Sequence, residues 1–231
     1  MLRVGLTGGL GSGKSTVAQM LRELGAHIIE SDELGRTIME PGHAAFNEIV
    51  RVFGPEVLTP AGRLNRPRLA ELAFKDGRVK ELNAIIHPAV IDGQRQWMDQ
   101  LFARDPAAVA VVVSALIFEV ERDALASRDA NEVHAELRKR IDRIILVTAS
   151  DDDKIARYVA RVDPAGADPE RIAADARSRL AHQISDGDKA ARADYVIENN
   201  GNIAALRAQV EDLWTRLRQE SNSNLTNESL K

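Results

Sequence analysis

A chain of 231 residues is long enough for one α/β domain with an insertion and for a core of ordinary size. Hydrophobic residues at 44% and charged residues at 29% are those of a soluble globular protein, and a net charge of −4 argues against a general nucleic-acid or membrane binder. With no cysteine there is no disulfide, thiol nucleophile or cysteine-bound metal, and no apolar run approaches the roughly 18 residues of a membrane span.

Met1 leads within a few residues into a strand pattern over 2–6, which leaves no room for a secretory leader and makes the cytosol the expected compartment. The loop that follows is the most informative feature. Gly8, Gly13, Lys14 and Ser15 satisfy the pattern G-x-x-x-x-G-K-[ST] in full, with Gly9, Leu10, Gly11 and Ser12 between them and Thr16 after. Glycines let successive N–H groups point at phosphate oxygens, and the helix read from Thr16 onward adds its positive end. Lys14 can reach the outer phosphates of a nucleotide, and the Ser15 hydroxyl is a ligand for Mg²⁺. A flexible glycine turn does not account for Lys-Ser-Thr in that register.

A second strand over 26–29 runs into Glu30-Ser31-Asp32. In a doubly wound sheet the carboxyl ends of strands line the ligand crevice, so Asp32 can take a proton from an acceptor hydroxyl or join a metal shell. It can equally cap a helix, and spacing alone does not choose. Residues 32–105 then carry little strand signal. Helical patterns over 44–53, 66–74 and 77–102 make this stretch a helical insertion, too long for a plain crossover. Within it lie His87-Pro88 and the arginines Arg63, Arg66 and Arg68, which on their own read as a turn and an ordinary surface.

The third strand, 109–113, ends at Ser114 with no aspartate at its tip, so the acidic magnesium ligand of many ATPases is not visible. The base-reading pattern [NT]-K-x-D of GTPases is also missing. Both observations tilt the reading toward a small-molecule kinase. A charged helical stretch over 126–140 reads as a solvated excursion, followed by a fourth strand over 141–147. Residues 151–186 read as two helices around a turn at 163–169. Arg157 and Arg161, four apart, share a face of the first, as a phosphate clamp or a solvated surface. A fifth strand at 195–198 and a helix over 202–218 complete the fold, and the polar tail from 219 is expected to be disordered. The result is an α/β class: a doubly wound, parallel, five-stranded sheet with helices on both faces.

Taken together these residues resemble the dephospho-coenzyme A kinases. The resemblance rests on the loop, on Ile28–Asp32, and on Phe53-Gly54, Gly62–Arg66, Leu82-Asn83 and Ile86-His87-Pro88. It continues in Leu116-Ile-Phe-Glu119, Arg157 with Arg161, Arg179–Gln183 with Ser185 and Lys189, and Ala193-Asp194-Tyr-Val-Ile197 with Asn199 and Gly201. Ala115 stands where the family has proline, Glu30 where it has aspartate, and Lys154 where glutamine is common. The resemblance implies ATP-dependent phosphorylation of the ribose 3′-hydroxyl of dephospho-coenzyme A, with Mg²⁺. It implies a nucleotide core (1–31, 106–150 and 187–219), an acceptor-binding domain (32–105) and a lid (151–186), with a tail from 220. It makes Asp32 the base, puts Lys14 and the loop on ATP and the two arginines on the lid, and places Arg63, Arg66, His87 and Leu116 toward the acceptor. A nucleoside or nucleotide kinase on the same core, or a non-enzymatic ATP-dependent switch, are the alternatives. No nucleic-acid or membrane partner is expected.

Overall fold

The computed structural model describes residues 1–125 and 137–228. In chain order the elements are β1 (Leu2–Gly8), α1 (Lys14–Glu23), β2 (His27–Glu30), α2 (Ser31–Ile38), α3 (Ala44–Phe53), α4 (Arg66–Lys75), α5 (Val79–Arg104) and β3 (Val109–Val113). There follow α6 (Ile117–Leu125), α7 (Leu137–Arg140), β4 (Arg143–Thr148), α8 (Asp151–Val162), α9 (Pro169–His182), α10 (Asp186–Ala190), β5 (Tyr195–Glu198) and α11 (Ile203–Glu228). Of the charged stretch expected over 126–140, only 137–140 lie among the described residues. The chain divides into two compact units, Met1–Ile29 with Met98–Lys231, and Glu30–Trp97; α5 belongs to both.

The first unit is built on a five-stranded sheet in the order β2-β3-β1-β4-β5. β1 pairs in parallel with β3 (Leu2 opposite Val109, Leu6 opposite Val113) and with β4 (Val4 opposite Arg143, Gly8 opposite Val147). Being central, β1 is buried on both faces, which is why it and β3 read as nearly continuous apolar runs. On one face Leu2, Val4 and Leu6 meet Val17, Ala18, Met20 and Leu21 of α1 and Leu206, Val210, Leu213 and Leu217 of α11. On the other, Gly5 leaves room for α6: a Cβ there would come within 2.9 Å of Ile117 Cδ1. The doubly wound α/β architecture expected from the sequence is the one observed.

Three local expectations are corrected. β4 begins at Arg143 rather than 141, because Asp142 is spent on Arg3: its carboxylate accepts from the Arg3 N–H at 2.8 Å and from the guanidinium at 2.6 Å. His87 and Pro88 are not a turn but lie inside α5. The proline has no N–H to give to the helix, and packing of Leu82, Ile85 and Ile86 against the second unit's core offsets that loss. Finally, α11 does not stop at 218. Its buried stripe 206-210-213-217 continues to Ser221, which is fully buried and whose hydroxyl donates to the Ala107 carbonyl at 2.9 Å. Asn224 Nδ2 donates to the Met1 carbonyl at 3.1 Å. A polar residue on the buried stripe hid this extension from a hydrophobicity reading, and the helix runs to Glu228 where a disordered tail had been expected.

The second unit has its own core of Ile49, Phe53, Val57, Leu64, Leu69 and Leu72. Asn65 caps α4 by accepting from Arg68 N at 3.2 Å, with Pro67 in the first turn, where a missing N–H costs nothing. Arg78 lies 4.3 Å above the Phe53 ring and donates to the Val52 carbonyl, closing the end of α3.

Candidate functional site

The loop Gly9–Gly13 leaves the carboxyl end of the central strand and feeds straight into α1. Gly13 occupies the N-cap position with φ +98°, no side chain caps the helix, and its first turn holds no acidic residue. The positive end of α1 is therefore not neutralised from within, which makes it a site for an anion. Gly11, at φ +72°, must stay glycine for two reasons: its backbone is left-handed, and a Cβ would fall 2.1 Å from the Lys154 carbonyl of α8. Lys14 Nζ donates to the carbonyls of Gly8 and Gly9 at 2.8 and 2.9 Å, so the ammonium lies along the loop itself. Ser15 and Thr16 are exposed in the first turn of α1, and Ser12 is buried.

Residues far away in sequence hold this loop. Leu10 inserts its side chain into a small core formed by Tyr158, Ile172 and Ala176 of α8 and α9, and its N–H donates to Gln183 Oε1 at 3.2 Å. Lys154, only 4% exposed, bridges Asp186 at 2.7 Å and Asp151 at 3.0 Å. Burial opposes its charge, but the two carboxylates outweigh that and hold the ammonium above its ordinary range. A cleft of about 540 Å³ opens next to it, lined by Lys154, Ile155, Arg177, Leu180, Gln183 and Asp186 among others. Below α9, the Glu119 carboxylate accepts from Ile184 N at 3.1 Å and pairs with the fully buried Lys189 at 2.9 Å. The Ile184 hydrogen bond ties the end of the 151–186 segment to α6, and the ion pair ties α10 to the same carboxylate.

The two arginines of α8 part company. Arg157 Nη2 donates to the Asn199 carbonyl at 2.8 Å, and Asn199 in turn holds the loop. Arg161 is exposed and stacks 5.4 Å from the centre of the Tyr158 ring. Arg157 and Lys14 are thus tied to the same loop, whereas Arg161 is not. Leu116, 42% exposed, lies just before α6, where its N–H donates to Ser114 Oγ at 3.2 Å.

Asp32, Arg63, Arg66 and His87 belong to the second unit. Asp32 is not the cap of its helix. Glu30 occupies that position, Ser31 is the first helical residue, and Asp32 stands exposed in the first turn. Among the described residues its carboxylate makes no hydrogen bond or ion pair. Arg66 reaches back to α2, donating to the Arg36 carbonyl and Glu40 Oε1, both at 3.2 Å. Arg63 lies in an exposed turn closed by Thr59 N to the Arg63 carbonyl at 2.7 Å. His87 is half-buried in α5.

Comparison with known proteins settles the family. A model of the dephospho-CoA kinase family matches residues 2–205 of the chain. The chain belongs to the dephospho-CoA kinase family. It is 36% identical over 220 residues to the dephospho-CoA kinase of Moorella thermoacetica, covering 95% of this chain and 93% of that one. The enzyme of the same name from Anaeromyxobacter dehalogenans is 38% identical over 225 residues, 97% and 96% of the two chains. Among solved structures, a protein from Thermus thermophilus superposes with a TM-score of 0.69 at 30% identity, covering 94% of this chain and 97% of its own. Dephospho-CoA kinase from Campylobacter jejuni, at 20% identity and a TM-score of 0.65, shares the fold.

The structure also brings to the loop and its supports residues to which their own spacing gave no role. Asn199, Lys189 and Glu119 were visible only as parts of the family pattern, and Lys154 only as a departure from it. Each acts through a partner between 32 and 187 positions away or on a neighbouring turn, so no local spacing advertised it. The signal that existed was their place in the ordered set of family motifs.

Proposed function

We propose that this chain transfers the γ-phosphoryl group of ATP to the ribose 3′-hydroxyl of dephospho-coenzyme A, giving coenzyme A and ADP. The observation that carries the reading is the uncapped, positive end of α1 behind Gly8–Gly13, with Lys14 laid along the loop, in a chain whose residues 2–205 match the family. Phosphoryl transfer asks the protein mainly for positioning and charge, and this loop supplies both.

In this reading the N–H groups of the loop and of α1 receive the nucleotide phosphates. Lys14 exchanges its carbonyl partners for phosphate oxygens, and Arg157, held through Asn199, adds a second cation. Arg161 joins from the exposed face of the same helix, in the lid formed by residues 151–186. The Ser15 hydroxyl, exposed in the first turn beside Lys14, is the hard oxygen donor that suits Mg²⁺, which when bound would neutralise charge on the phosphates. Asp32 is the base that receives the proton of the acceptor hydroxyl, from its exposed position in the first turn of α2. Arg66, Arg63, His87 and Leu116 contact the acceptor, and Arg66 enters pre-oriented by Glu40.

The test is ADP release from ATP with dephospho-coenzyme A, AMP, UMP and adenosine as separate acceptors. Release driven by dephospho-coenzyme A alone is the expected result. Preference for a bare nucleotide or nucleoside would replace the acceptor, and tight ATP binding with no acceptor-dependent release would replace the enzyme with a switch.

A further inference from the structure

Asn199, immediately after β5, is almost fully buried and makes three hydrogen bonds that link the phosphate loop to the end of β4 and to α8. Its N–H donates to the Thr148 carbonyl at 2.8 Å, fixing it to the end of β4. Its amide Nδ2 donates to the Ser12 carbonyl at 2.9 Å, and its own backbone carbonyl accepts from Arg157 Nη2 at 2.8 Å. The partner of Nδ2 is a carbonyl, which only accepts, so the amide can be oriented in one way only.

The Ser12 carbonyl and the Gly13 N–H are two ends of one peptide plane and point in opposite directions. Holding the carbonyl against Asn199 therefore turns the Gly13 N–H the other way, at the N-cap of α1 where the anion site lies. The fit is mutual: a Cβ on Gly13 would sit 2.2 Å from Asn199 Nδ2, so glycine at 13 is what lets the amide approach. Arg157 completes the arrangement. Its Nη1 is shielded from solvent and makes no hydrogen bond among the described residues, so one donor of the tethered guanidinium is left over for an incoming anion.

We propose that Asn199 is a positioning residue of the phosphate site: its side chain sets the Ser12–Gly13 peptide, and its backbone carbonyl sets the Arg157 guanidinium. The inference rests on the phosphate role given above to the loop. It specifies that Asn199 acts on the phosphate chain of the nucleotide, through the loop, and not on the base or on the acceptor.

Equilibrium binding of ATP and of inorganic tripolyphosphate, measured by calorimetry on the full chain, separates these possibilities. In Asn199→Ala both ligands should weaken by the same factor, about 10- to 100-fold, the loss that goes with one misdirected donor to a charged group. KM for dephospho-coenzyme A should stay within about twofold, because no acceptor contact changes. Asn199→Asp is isosteric and serves where alanine fails to fold. It faces the Ser12 carbonyl with a second acceptor and should lose at least as much. Loss of ATP binding with unchanged tripolyphosphate binding would mean that Asn199 reads the base, and equal binding by wild type and folded variants would show that the tether does no work; either overturns the proposal. Wild type that binds neither ligand would instead overturn the phosphate role of the loop, and the inference with it.

Discussion

Replacing Asp32 by asparagine separates a catalytic carboxylate from a structural one more cleanly than the sequence alone promised. Asp32 is one residue inside α2, exposed, with Glu30 at the cap position, so its structural work is limited to placing a negative charge near the helix's positive end. That interaction is worth about 0.3–1 kcal/mol on an exposed surface. For a chain of this size it corresponds to a fall in Tm of roughly 1–4 °C. If the carboxylate accepts the proton of the acceptor hydroxyl, the amide cannot, and general-base contributions run to about 10²- to 10⁴-fold in rate. Asp32→Asn should therefore melt within a few degrees of wild type, bind ATP normally, and lose two to four orders of magnitude in kcat. The assay is kcat from coupled ADP release at saturating substrates, beside a thermal melt and a separate ATP titration. A folded variant that loses less than about tenfold would remove Asp32 from the chemistry.

Lys14→Ala keeps the fold, since Lys14 contacts loop carbonyls rather than the core, and should lose about 10²- to 10³-fold in kcat, read by ADP release with circular dichroism as the control. Arg157→Ala should lower kcat at least tenfold more than Arg161→Ala, because only Arg157 is tethered to the loop; equal effects in steady-state kinetics would refute that division. In the buried pair, Lys189→Ala leaves Glu119 uncompensated, a loss of about 3–5 kcal/mol, or roughly 6–20 °C in Tm. The double change Glu119→Gln with Lys189→Met should recover part of it, and a single-variant drop below about 3 °C in a melting curve would show the pair to be unimportant.

The phosphate loop was legible in the sequence because its determinants are contiguous. Strand, glycines, Lys14 and Ser15 lie within one turn of chain, and the backbone conformation they need is a property of those residues themselves. The buried strands were legible for a related reason, since a parallel strand covered on both faces has to be apolar throughout. What holds the loop in shape was not legible. Lys154, Gln183 and Asn199 reach it from α8, from the end of α9 and from the end of β5, and those distances exist only once β1, β4 and β5 are paired.

The same boundary separates the other residues. Asp32 could be read as either a cap or a base, because both roles use the same carboxylate at the same strand end; the fold removed the first by starting α2 at Ser31. Arg157 and Arg161 were equivalent by spacing and became different when Asn199 and Tyr158 took one each. The last helix was cut short in the reading because Ser221 looks like a surface residue, yet its hydroxyl finds the Ala107 carbonyl. By itself the sequence determined the elements whose cause is local: the glycine loop and the apolar strands. Tertiary structure decided which distant side chains fix that loop and which arginine reaches it, because a hydrogen bond depends on where two groups lie in space and not on how far apart they are along the chain.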